Sequence, residues 1–178
     1  MKHFVKVSTL RDLIEKRESP IKKVPGIYRW WFDADATNRL LSELKFKDFH
    51  KLMYREIDGT KYYALYFGIS NDMRGRANWH ICQSHSTSQI KHGTLSTLRQ
   101  TLSGLLGIDM SKSRQCINDL MDNSCYLEYD YVSDPKTYEG QELKGYNNYA
   151  YPLNIQENKT IDKYHIKLLK DLRKKHRR

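Results

Sequence analysis

Tyr66, Arg76 and His80 are residues whose types and spacing could do chemistry together. They lie in the stretch Tyr66-Phe67-Gly68-Ile69-Ser70-Asn71-Asp72-Met73-Arg74-Gly75-Arg76-Ala77-Asn78-Trp79-His80, which reads as the end of a buried strand, a sharp exit and then a helix. Ser70 or Asn71 can cap that helix, because a short side-chain oxygen accepts from the free N–H groups of the first turn. Arg76 and His80 are four apart and share a face, whereas Arg74 and Trp79 fall on other faces and need no catalytic role. A strand-end phenol, a permanent cation and a titratable imidazole are parts for handling a phosphate and a proton. Taken singly, each also fits an aromatic core strand followed by an ordinary surface helix, so the rest of the chain must supply partners.

The elements that would position them sit in a chain of 178 residues, the size of one domain with appendages. Hydrophobic residues make up 39% and aromatics 12%, enough for a real core, and the 13 tyrosines favour aromatic-rich strands or a ligand-facing surface. No apolar run is long enough to span a bilayer, and the first residues lack the apolar core of a signal peptide. Cys82, Cys116 and Cys125 are odd in number and unpaired in spacing, so they read as reduced thiols in a cytoplasmic protein. His80, Cys82 and His85 lie close together, but a structural zinc site needs four ligands and no second cluster follows. The net charge is +10, of which eight basic residues against Asp171 place +7 between Lys163 and Arg178. Such a basic helix can neutralise phosphates; a solvated, frayed end is the other reading.

Along the chain, Ser8 to Glu18 has the apolar spacing of a short helix, ended by Pro20. Val24 to Phe32 reads as a strand after a Pro-Gly break. Asp33 to Lys47 turns helical. Leu52 to Ile57, Asp58-Gly59 and Thr60 to Gly68 form a hairpin, since Asp-Gly supplies the positive φ angles of a tight turn. A polar connection follows His80. Thr94 to Leu106 is a leucine-striped helix with Arg99 at the edge of the stripe, able to reach inward. Ser111 to Asp122 is helical, Tyr126 to Val132 a strand, and Asp134-Pro135 starts a helix reaching about Tyr146. Ile161 to Lys175 is the last, basic helix.

Four features then stand in order: Gly26-Ile27-Tyr28, Tyr66-Phe67-Gly68, Arg76-x-x-x-His80, and a helical carboxylate followed by Pro152-Leu153-Asn154. This ordered set resembles the GIY-YIG endonuclease superfamily, and its closing Glu and Pro-Leu-Asn look like the branch that includes restriction enzymes. The resemblance runs from about Pro25 to Asn158. It implies that Tyr28 and Tyr66 face the scissile phosphate, that Arg76 contacts it, and that His80 fills the second helical position. It implies Glu142 as the carboxylate binding a divalent metal (Mg²⁺ or Mn²⁺), with Glu139 one turn earlier in reserve, and Asn154 as the residue that helps hold the site together. Phosphodiester hydrolysis needs an activated water, charge neutralisation and help for the leaving oxygen, which this set provides. Tyr28 is expected to take the water's proton, relayed to His80, with its pKa lowered by Arg76, a metal or protonated His80.

The expectation is therefore an α/β (α+β) protein with a small, mainly antiparallel sheet flanked by helices. Residues 1–24 form a helical extension, 25–158 the nuclease-like domain with an insertion at 33–61, and 159–178 a basic helix and tail. The insertion adds nucleic-acid contacts or a dimer surface, or buttresses the sheet. Arg99, Lys167, Lys170, Arg173 and Lys174 are expected to grip phosphates of double-stranded DNA, and a homodimer would answer the need for two cuts. Two alternatives from other classes stay open: a non-catalytic nucleic-acid-binding protein on the same fold, and an interaction protein whose basic tail binds acidic partners.

Overall fold

β2 (Gly26–Asp33) is the middle strand of a five-stranded sheet in the computed structural model, which describes all residues from Met1 to Arg178. β5 (Cys125–Tyr131) pairs on one side of it and β4 (Thr60–Ser70) on the other. The edges are β1 (His3–Lys6) beside β5 and β3 (Tyr54–Ile57) beside β4. Every pairing is antiparallel, so the fold is α+β as the alternation of elements implies. β2 is apolar from Ile27 to Phe32 apart from Arg29, because both its faces are covered. Tyr28, Trp30 and Phe32 enter the main core of 27 buried residues, whereas Ile27 and Trp31 enter a second cluster with Ala64, Phe67, Leu143 and Tyr151.

The β3–β4 hairpin turns at Asp58 (φ 49°) and Gly59 (φ 75°), the positive angles a two-residue turn requires. Farther along β4 a bulge interrupts the pairing: Trp30 faces Tyr66 but Trp31 faces Ala64, so Leu65 is the extra residue. An added residue lets neighbours share a face: Leu65 is buried in the main core and Tyr66 packs against it.

That core is closed by helices. α1 (Val7–Glu15) follows β1 directly, and α2 (Ala34–Glu43) is capped by Asp33, which accepts from Ala36 N at 2.7 Å. Ala36, Leu40 and Leu41 of α2 are buried against the sheet, so this part of the insertion buttresses it. α3 (Met73–Cys82) is capped by Asp72, not by Ser70 or Asn71. Ser70 tightens the turn instead, its hydroxyl bonding both the amide and the carbonyl of Asp72. The polar connection contains α4 (Thr87–Lys91), a short helix with a Ser86/Gln89 capping box. α5 (Thr97–Leu105) begins at the cap Ser96, α6 (Arg114–Ser124) precedes β5, and α7 (Pro135–Leu143) has Pro in its first turn. α8 (Lys163–Lys175) is capped by Asp162.

Both expected appendages join the body. Residues 3–6 are a sheet strand, and α8 packs along α5 and sends Leu169 into the core. No helix is long and apolar enough to cross a membrane.

Candidate active site

Tyr28 and Tyr66 come from neighbouring strands and face the same side. Tyr28 pairs with Gly68 and Trp30 with Tyr66, and the two phenol rings stack at 6.3 Å. The ring of Tyr28 lies directly over Gly68. A Cβ built there would fall 2.3 Å from Tyr28 Cζ and 2.4 Å from its hydroxyl. The glycine of the second tripeptide therefore provides space for the first tyrosine. Gly68→Ala is expected to displace Tyr28 and lower a cleavage rate by at least about 100-fold, since an ångström of misplacement has that effect. Overpacking would add a stability loss of about 1–3 kcal/mol. Nicking rates beside thermal melts check this; an unchanged rate would contradict it.

His80 is fully buried on α3, and Nε2 lies 2.9 Å from the Tyr28 hydroxyl. Nδ1 lies 2.6 Å from Ser96 Oγ. Burial, then the charges of Arg76 and Arg99, push the His80 pKa well below the usual imidazole range. The imidazole is therefore neutral at physiological pH. The tautomer that fits has Nδ1–H donating to Ser96 and Nε2 accepting from Tyr28, because Ser96 can accept from both Nδ1–H and Arg99 N. Burial raises the Tyr28 pKa well above the ordinary tyrosine value, with Tyr66 and Glu139 adding to the rise and Arg76 opposing it. The expectation of a Tyr28 acidified by protonated His80 is thus reversed: phenol and imidazole are both neutral, a donor and acceptor poised to exchange one proton.

Arg76 is half-buried, and its guanidinium lies 4.7 Å from the Trp79 ring. It makes no ion pair, and Trp79, unexpectedly, is its support. Arg76 and Trp79 border an open cleft of about 330 Å³ with Ser70, Asp72 and Gly75. Tyr66 is half-buried and bonds Thr97 Oγ1 at 3.1 Å, on the first residue of α5.

Glu142, which the resemblance implies as the metal ligand, lies in a buried polar network. It is buried, its Oε1 accepts from Arg29 Nη2 at 2.6 Å and Asn147 Nδ2 at 3.2 Å, and its Oε2 accepts from the Tyr151 hydroxyl. Arg29 alternates with Tyr28 along β2 and so belongs to the opposite face, where it also pairs with Glu128. Glu142 is a member of that buried network, with both carboxylate oxygens engaged by hydrogen bonds. Glu139, one turn earlier, is half-buried and carries no ion pair, and its charge acts on the Tyr28 phenol.

Asn154 clamps the sheet and does not touch the reacting groups. Its Oδ1 accepts from Phe67 N at 2.8 Å and its Nδ2 donates to Phe67 O at 2.7 Å. β3 pairs with β4 only as far as Tyr63, so Asn154 satisfies the edge that β3 leaves open, next to Tyr66. Arg99 is also corrected. It is fully buried and donates to His85 Nε2 (2.6 Å), the carbonyls of His80 (2.9 Å) and Ile81 (3.2 Å), and Asn118 Oδ1 (2.7 Å). It caps the C-terminus of α3 and holds His80 in place; it cannot reach a phosphate. Lys167, Lys170 and Lys174 are exposed, whereas Arg173 folds back towards α5.

His85 is a second buried neutral imidazole. It accepts from Arg99, its Nδ1 bonds Met110 O at 2.9 Å, and burial followed by the Arg99 charge lowers its pKa to about 4. Both histidines have depressed folded pKa values, so the unfolded chain takes up protons below about pH 6.5 that the folded chain refuses. Stability is therefore full above that pH and falls as pH drops. The expected loss between pH 7 and pH 5 is about 4 kcal/mol for the two together. Urea unfolding at both pH values checks this, with His85→Gln expected to remove about half of the dependence.

The missed residues are Ser96, Thr97 and Trp79. Ser96 was detectable as a better cap for the leucine-striped helix than Thr94; the contacts of Thr97 and Trp79 have no local signal. A family model described as GIY-YIG catalytic domain matches residues 26–175. Neither a curated protein nor a solved structure matches the chain.

Proposed function

The chain belongs to the GIY-YIG catalytic-domain family, and from that premise we propose that it is a metal-dependent endonuclease hydrolysing phosphodiester bonds of duplex DNA. The observation that carries the proposal is the Tyr28–His80 hydrogen bond of 2.9 Å beside a guanidinium, Arg76, that has no carboxylate partner.

Arg76 binds two oxygens of the scissile phosphate, as a planar fork can. Tyr28 takes a proton from the attacking water while its own phenolic proton passes to His80 Nε2. That coupling answers the raised Tyr28 pKa, because tyrosinate need never accumulate. Ser96 keeps the imidazole oriented through Nδ1, and Tyr66, tied to Thr97, packs against Tyr28. Glu139 is the residue that would hold the divalent cation. A single unpaired carboxylate suits Mg²⁺, which keeps several waters and needs few protein ligands, and no group of three or more metal-ligating side chains competes with it. When bound, the cation supplies neutralisation of charge on the phosphate and the leaving oxygen.

Supercoiled plasmid incubated with the purified protein tests this reading. Nicking with Mg²⁺ or Mn²⁺, and none with EDTA, is expected. Binding without nicking in any metal would favour the non-catalytic alternative.

A further inference from the structure

Among the basic residues of α8 and of the segment after it, two share one acceptor. Arg173 of α8 and Arg177, two residues beyond its end, both reach Gln100 on α5. Arg173 Nη2 donates to Gln100 Oε1 at 2.9 Å, and Arg177 Nη2 donates to the same oxygen at 3.1 Å. Gln100 is 2% exposed, and its amide donates to Leu95 O, which fixes the direction of that oxygen. Neither guanidinium takes part in an ion pair. Two forks with five donors each converge on one neutral acceptor. Like charges this close repel, and burial together with Arg177 lowers the Arg173 pKa accordingly.

The close approach depends on Gly104 of α5. A Cβ there would sit 3.1 Å from the Leu172 backbone and 3.2 Å from Arg173 N. The place is also next to the reactive tyrosines. The positive charges of Arg76 and Arg173 both act on the Tyr66 phenol. Tyr66 is tied to α5 through Thr97, one turn before Gln100.

We propose that Arg173 and Arg177 form a second phosphate subsite, which holds a phosphate of the same nucleic-acid strand adjacent to the one on Arg76. This deepens the nuclease reading and rests on it. An anion with several oxygens can take two donors from each fork, whereas the single amide oxygen takes one from each, and its charge relieves their repulsion. The exposed lysines of α8 then add a diffuse attraction, while the arginine pair sets where the strand lies.

The test titrates a fluorescent DNA duplex with wild type, Arg177→Gln, and Arg173→Gln combined with Arg177→Gln. Metal is withheld with EDTA, and several salt concentrations are used. Arg177 is exposed, so its single substitution leaves the core untouched. The double variant is expected to bind at least about 10-fold more weakly, and its log affinity against log salt to be shallower by about 0.9, one phosphate's worth. Arg177→Gln alone should show about half that change in slope. Lys16→Gln, which removes an exposed cation at the end of α1, should show none. With Mg²⁺, the double variant should need at least about 10-fold more DNA for half-maximal rate while its saturated rate stays within about 3-fold, a split that loss of helix packing alone would not produce. Wild-type affinity and slope in both variants would overturn the subsite while leaving the nuclease reading intact. A wild type that neither binds nor cuts duplex DNA would overturn the nuclease reading, and the subsite with it.

Discussion

Glu139→Ala is expected to lower metal-dependent nicking by on the order of 10³-fold, because a cation at a phosphoryl centre supplies several kcal/mol of transition-state stabilisation. The same change should move stability by less than about 0.5 kcal/mol, since the side chain carries no ion pair. Glu142→Ala should do the opposite. It leaves the Arg29 guanidinium and the Tyr151 hydroxyl buried without their shared acceptor. Removing one partner of a buried pair costs about 3–5 kcal/mol, and Arg29 retains Glu128, which places the expected loss near the lower end, at about 3 kcal/mol. The folded fraction of that variant should still cut. Thermal melts and nicking rates on both variants separate the two carboxylates. A Glu142→Ala protein that folds normally but is inert would exchange their roles.

Tyr28→Phe is expected to reduce the single-turnover rate by about 10²–10⁴-fold, the range for losing a positioned proton acceptor. Phenylalanine keeps the ring above Gly68 and against Tyr66, so the loss isolates the hydroxyl. It also leaves His80 Nε2 buried without a donor, for a stability loss of about 1–3 kcal/mol. The pH profile carries independent information. His80 must be unprotonated to accept, and its pKa is held well below the ordinary value by burial and by Arg76 and Arg99. The acid limb of the rate should therefore lie below about pH 6.5, the pKa of a free imidazole. Arg99→Gln would raise it by removing one of those charges. A limb at the free-imidazole value in the wild type would mean that His80 is not in the relay.

The parts legible in the sequence are those whose signal is local. The Asp58-Gly59 turn, the aromatic strands beside it and the leucine stripe of α5 depend on neighbours a few residues away, and the structure has each. β1 is four residues long and gains its place only by pairing with β5, more than a hundred residues later, so nothing within it declares a strand. Tyr28, Tyr66, Arg76 and His80 were readable because type and order coincide. Which carboxylate would hold a cation was not readable, because Glu139 and Glu142 are three apart on one helix and spacing cannot rank them. What separates them is Arg29, a cation on the far side of β2 that claims Glu142. Arg99 could be seen to reach inward, but its partners lie at the ends of other helices, so a phosphate contact was inferred where carbonyls are waiting.

On the proposed reading, chemistry occupies the face of the sheet bearing Tyr28 and Tyr66, and the opposite face is structural. Its most direct measurement is the single-turnover rate of plasmid nicking at saturating Mg²⁺, taken side by side for wild type, Tyr28→Phe, Glu139→Ala and Glu142→Ala at a temperature where all four are folded. The account predicts cutting by wild type and Glu142→Ala, and rates lower by at least about 100-fold for Tyr28→Phe and Glu139→Ala. Wild-type rates in Tyr28→Phe and Glu139→Ala, or loss of cutting confined to Glu142→Ala, would contradict it.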